Sequence, residues 1–106
     1  MKVDLNLGER FSLLAILPKE GNFATLKIVR QLRETLSLTE DEIKEYGVRM
    51  EGEQLLWTPE AAVIEKEFEF GEFAEELMKK TLKELDKNDK LTERDITIYG
   101  KIVGEE

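Results

Sequence analysis

Glu65, Glu67 and Glu69 stand at alternate positions and are the side chains whose type and spacing first raise the question of chemistry. Carboxylates can hold a divalent cation, but a hard cation needs its oxygens gathered around one centre. On an extended strand, side chains two positions apart share a face and stand about 7 Å from each other. The three carboxylates are therefore drawn out along a line. Lys66, which an ion-dependent nuclease would want beside them, points to the opposite face on the same alternation. A solvated sheet face is the better reading of the run.

Asp86-Lys87-Asn88-Asp89-Lys90 has the look of a calcium-loop start, but the likeness fails where it matters. The sixth position is Leu91 where the loop needs Gly, and the twelfth is Thr97 where it needs a bidentate Glu. The chain has no cysteine and no histidine. That removes thiol nucleophiles, thiolate metal sites and the commonest general base and metal ligand. Ser12 and Ser37 have no base of the usual kind, and Gly52 and Gly71 are isolated glycines that fit turns better than a phosphate loop. No catalytic residue, metal ligand or cofactor is assigned, and a non-enzymatic protein is expected.

Charge is the stronger signal. The net charge is −8, and residues 39–76 hold thirteen acidic and three basic side chains, a net −10. The candidate acidic interaction surface is Glu65, Glu67 and Glu69 with Glu51 and Glu53. The competing reading is a wetted face that keeps the protein soluble. Lys27, Arg30 and Arg33 form a candidate basic patch. A winged-helix DNA binder would place Thr39 to Tyr46 against DNA, where four of eight residues are acidic, and its wing would carry Glu51 and Glu53. Phosphate binding needs cations, so direct nucleic-acid binding is not expected.

The elements that must position these side chains follow from spacing. Val3, Leu5 and Leu7 alternate with Asp4 and Asn6 as a short strand, ended by Gly8. Residues 9–17 read as a broad-striped helix stopped by Pro18 and Gly21. Asn22 caps a second helix running to about Leu36, with Leu26, Val29, Leu32 and Leu36 on its stripe. Leu38-Thr39-Glu40-Asp41-Glu42-Ile43 carries a capping box and a hydrophobic staple for a short third helix, closed by Tyr46 and Gly47. Val48–Met50 and Gln54–Trp57 flank Glu51-Gly52-Glu53 as a hairpin, and residues 63–70 read as a third strand. Phe73, Leu77, Met78, Leu82 and Leu85 mark a long amphipathic helix over residues 72–86. Residues 92–103 carry both a capping pattern and the β-branched run Ile96-Thr97-Ile98-Tyr99; helix is favoured, with strand the open alternative.

The 106 residues are the length of one domain, 1–106. The expected fold is α+β, with a small antiparallel sheet of three to four strands packed on four to five helices. That sheet is the hairpin plus the third strand, with the N-terminal strand as its further candidate. The opening residues lack a secretory signal pattern, and no apolar run is long enough to span a membrane. A cytoplasmic protein without membrane contact is expected. The abundance of Glu and Lys beside few Asn and Gln also resembles thermophile composition.

The segment Leu17-Pro18-Lys19-Glu20-Gly21-Asn22-Phe23, with the following Thr25 to Arg30 and Leu32-Arg33-Glu34, resembles small uncharacterised proteins encoded in bacteriophage and prophage genomes. The likeness extends through Glu45. It implies a phage or prophage setting, hence a host cytoplasm, and transfers no active-site residue. The expected function is that of an accessory protein acting by association with a protein partner or with itself. The alternative is an acidic DNA mimic that inhibits a basic nucleic-acid-binding protein.

Overall fold

The computed structural model describes residues 1–104. Its elements run β1 (Lys2–Leu5), α1 (Leu7–Ile16), α2 (Phe23–Leu36), α3 (Glu40–Glu45), β2 (Arg49–Glu51), β3 (Gln54–Leu56), α4 (Pro59–Ala62), β4 (Lys66–Glu69), α5 (Glu72–Lys87) and α6 (Ile96–Ile102), with a 3-10 turn at Glu93–Asp95 leading into α6. The class is α+β, as the patterns require. The sheet differs from the expectation. The strands form two separate antiparallel pairs, β1 with β4 and β2 with β3. The reason is local. Thr58 caps and Pro59 opens the short helix α4 immediately after β3, and this turns the chain away before β4 can join the hairpin. The third strand is correspondingly shorter than residues 63–70. It begins at Lys66, so Glu65 stands outside it.

The first helix also begins earlier than Glu9. Asn6 is its N-cap and Glu9 completes a capping box, which takes Leu7 and Gly8 into the first turn. Gly8 therefore lies in the first turn of a helix where it was expected to end a strand. The caps at Asn22 and Thr39 stand where the sequence puts them. Gly47 follows α3 with φ +62, and an added Cβ would meet the Thr58 methyl at 2.9 Å, so conformation and space both require glycine. In the hairpin, Glu51 faces Gln54 across Gly52 and Glu53. Gly52 has φ +63, the pattern of a type II′ turn.

One apolar core joins Val3 and Leu5 of β1, Leu13 of α1, Val29, Leu32 and Leu36 of α2, Phe68 of β4, Met78 and Leu82 of α5, and Ile98 and Ile102 of α6. A smaller cluster of Leu7, Tyr46 and Ala61 sits under the hairpin, where Phe11 stacks on Trp57 at 5.5 Å. The C-terminal ambiguity resolves as helix because Ile98 and Ile102, one turn apart, are both buried while Ile96 is exposed. A strand would have put Ile96 and Ile98 on the same face. The α5 stripe is narrower than its spacing indicates. Met78 and Leu82 are fully buried and Leu77 packs at the core's margin, but Phe73 is 70% exposed.

Leu82→Ala should therefore cost about 2–5 kcal/mol in denaturant unfolding, whereas Phe73→Ala should change stability by under about 0.5 kcal/mol. The reverse order would mean that α5 is rotated about its axis.

Candidate interaction surface and the buried ion pairs

The sheet β1–β4 positions the candidate acids. Its register pairs Lys2 with Glu69, Val3 with Phe68, Asp4 with Glu67 and Leu5 with Lys66. Val3, Leu5 and Phe68 point into the core, so Lys2, Asp4, Glu67 and Glu69 share the outward face, all exposed. Among the described residues, none of these four makes an ion pair.

Glu65 is not part of that face. Its carboxylate meets Lys101 Nζ at 2.6 Å, and the same ammonium donates to Glu9 at 2.7 Å and to the Asp4 carbonyl at 2.7 Å. Burial alone would depress the Lys101 ammonium, but its hydrogen bonds to Glu65 and Glu9 outweigh this and hold it above the ordinary lysine value. Glu51 and Glu53 belong to the other sheet and its turn, and Glu51 lies 3.6 Å from Arg49 in an exposed pair. Such a pair contributes little to stability. The five predicted acids thus divide: Glu67 and Glu69 share one face, Glu65 is tied to α6, and Glu51 and Glu53 sit on the hairpin. The predicted basic residues Lys27, Arg30 and Arg33 are all exposed on α2 and make no ion pair among the described residues. Arg30 and Arg33 border, with Lys19, Pro18, Leu26 and Val29, a shallow depression of about 390 Å³.

The most connected charged group is one that spacing did not single out. Arg10, on α1, is 2% exposed. Its Nε donates to the Leu36 carbonyl at 3.0 Å and its Nη2 to the Ser37 carbonyl at 3.0 Å. Its Nη1 donates to Glu42 Oε2 at 2.8 Å. The guanidinium also lies over the Phe68 ring, 5.0 Å from the centroid. Arg10 therefore fills carbonyls left open at the end of α2 and holds the glutamate that caps α3. Lys66 adds a second cation, 3.5 Å from Glu42. The Arg10 hydrogen bond is the main cause that holds the Glu42 carboxyl down, against the opposing effect of burial, at about 2. Every buried side-chain nitrogen and oxygen among the described residues has a partner. A signal was available in the sequence: Arg10 lies three residues after Leu7 and three, four and seven before Leu13, Leu14 and Leu17, on the apolar stripe itself.

Among the described residues no group of three or more acidic side chains is gathered closely enough to hold a metal ion. No helix among them is long and apolar enough to cross a membrane. Comparison with known proteins finds no family model, no curated protein and no solved structure that matches the chain.

Arg10→Ala leaves Glu42 buried without its main cation and should cost about 3–5 kcal/mol in chemical denaturation. Arg10→Lys should recover only part of that, because an ammonium cannot reach two carbonyls and a carboxylate in the fork geometry. The Glu42 carboxyl is depressed on folding, so its contribution is complete above about pH 4.5 and is lost as pH falls toward 2. A carboxyl shifted that far contributes about 3 kcal/mol. Glu42→Gln should flatten the acid limb of the stability-against-pH curve over that window. An unchanged acid limb would show that other carboxylates govern acid unfolding.

Proposed function

We propose that this chain is a non-enzymatic accessory protein that works by holding another protein, in the phage or prophage setting implied by the resemblance of residues 17–45. The observation that carries the reading is the cross-strand pair Asp4 and Glu67, two carboxylates directly opposite each other on the outward face, neither of them in an ion pair among the described residues. Like charges at that separation are destabilising, and their attraction for a cationic partner is the return. The acids with structural duties, Glu9, Glu42 and Glu65, are all paired internally, Glu9 and Glu65 with the same ammonium. The acids left over on the β1–β4 face are therefore free to meet a basic surface.

An acidic DNA mimic would use the same face, but it needs a longer row of negative charge than Glu67 and Glu69 supply on β4. The structural duty of Glu65 and the separate sheet of Glu51 and Glu53 favour a protein partner over mimicry. A second copy offering Lys27, Arg30 and Arg33 is the self-association form of the same reading.

The test is capture from host lysate at low and high salt by the wild-type chain and by the Glu67→Gln/Glu69→Gln variant, with light scattering of the purified chain for self-association. The expected result is a species retained at low salt, released at high salt and lost to the variant. Equal retention by the variant would refute an acidic contact face.

A further inference from the structure

The hydrogen-bond phase of the β1–β4 pair decides which backbone groups face outward. The Met1 nitrogen donates to the Phe70 carbonyl at 2.9 Å, and the Phe70 N–H donates to the Met1 carbonyl at 2.8 Å. Residues that exchange both bonds alternate with residues that exchange none. Continuing the register by two, Val3 with Phe68 and Leu5 with Lys66 are the bonded pairs. Lys2 and Asp4 on one strand, and Glu67 and Glu69 on the other, therefore turn their N–H and C=O groups away from the pair.

The two outer edges differ. On the β1 edge, the Asp4 carbonyl is already taken by Lys101 Nζ at 2.7 Å. On the β4 edge, the N–H and C=O groups of Glu67 and Glu69 have no partner among the described residues. Among the described residues no third strand lies beyond β4. A side chain thus caps one carbonyl of the β1 edge, whereas none of the outward groups of the β4 edge is capped.

We infer that β4 is a docking edge for an extended segment of a partner protein, added antiparallel to it, in which basic residues alternate with apolar ones. The inference rests on the association reading above and specifies its mode. A strand bonded to the backbone of Glu67 and Glu69 puts its own directly opposite residues on the same face as those two carboxylates, where Lys or Arg is favourable and Asp or Glu is not. Its intervening residues turn to the face of Phe68 and of the Lys66 side chain, whose methylenes offer apolar contact. Val63 and Ile64 before the strand and Phe73 after it are exposed, and they extend apolar surface at both ends of β4 in the chain. Charge also excludes one occupant. A second copy pairing β4 with β4 would set Glu67 and Glu69 against their own kind, the device by which charged edges resist self-pairing.

The probe is an end-blocked peptide of alternating valine and lysine, measured at low salt by fluorescence anisotropy and by amide hydrogen exchange of the full chain. The expected result is saturable binding with slowed exchange at the Glu67 and Glu69 amides. N-methylation of the peptide's lysines, which are the residues whose N–H groups meet β4, should weaken binding about tenfold or more. Glu67→Gln/Glu69→Gln should weaken it about fivefold. Binding that depends on the two glutamates but tolerates N-methylation and leaves the two amides unprotected would overturn strand addition while leaving an acidic contact face intact. Absence of binding, or binding indifferent to both changes, would overturn the docking edge and, with unaltered lysate capture by the variant, the association reading as well.

Discussion

A guanidinium withdrawn from water is costly unless its donors are met, and Arg10 is withdrawn almost completely. The chain meets them by wrapping the whole turn between α2 and α3 around it, from the Leu36 carbonyl to the Glu42 carboxylate. The helix that carries Arg10, the end of the next helix, the start of the third and the ring of Phe68 on β4 are thereby fixed relative to one charge. Apolar burial supplies the driving force for the core. Arg10 determines where the connection between α2 and α3 can run, and through Phe68 and Lys66 it ties that connection to the sheet.

The same economy appears at the other charged centre. Glu9 and Glu42 each occupy the third position of a helix and receive the backbone N–H of their own N-cap, Asn6 and Thr39. Each then also accepts a cation from a distant element, Lys101 on α6 for Glu9 and Arg10 on α1 for Glu42. Capping glutamates are ordinarily surface devices. Here they join local helix starts to the tertiary structure, and Lys101 extends the link through Glu65 and the Asp4 carbonyl to the chain on either side of the first sheet. The acidic excess of residues 39–76 is thus partly structural, and what remains unpaired on the outward sheet face is smaller than the sequence total implies.

Local signals were legible and long-range ones were not. The caps at Asn22 and Thr39, Gly47, the hairpin turn and the long helix follow from short spacings that physical chemistry interprets directly. The merging of three to four strands into one sheet failed because pairing is a non-local choice, and the helical turn begun at Thr58-Pro59 outweighed the tendency of sequential strands to lie together. The extent of the acidic face failed for the same reason. Alternation grouped Glu65 with Glu67 and Glu69, but Lys101, distant in sequence, draws Glu65 away. Arg10 was hidden because a basic residue on an apolar stripe reads as an interruption until its acceptors, twenty-six and more residues on, are brought to it.

The functional account depends on this division of the acids into those that hold the fold and those that do not. Glu42 is buried and bonded, whereas Glu67 and Glu69 are exposed, unpaired and, in the case of Glu67, opposed by another acid. The most direct measurement is denaturant unfolding of Glu42→Gln beside Glu67→Gln/Glu69→Gln at neutral pH. The account predicts a loss of about 2 kcal/mol or more for the first and a change within about 0.5 kcal/mol, or a slight gain, for the second. A loss in the second variant equal to that in the first would contradict it, since the outward acids would then be part of what holds the protein together.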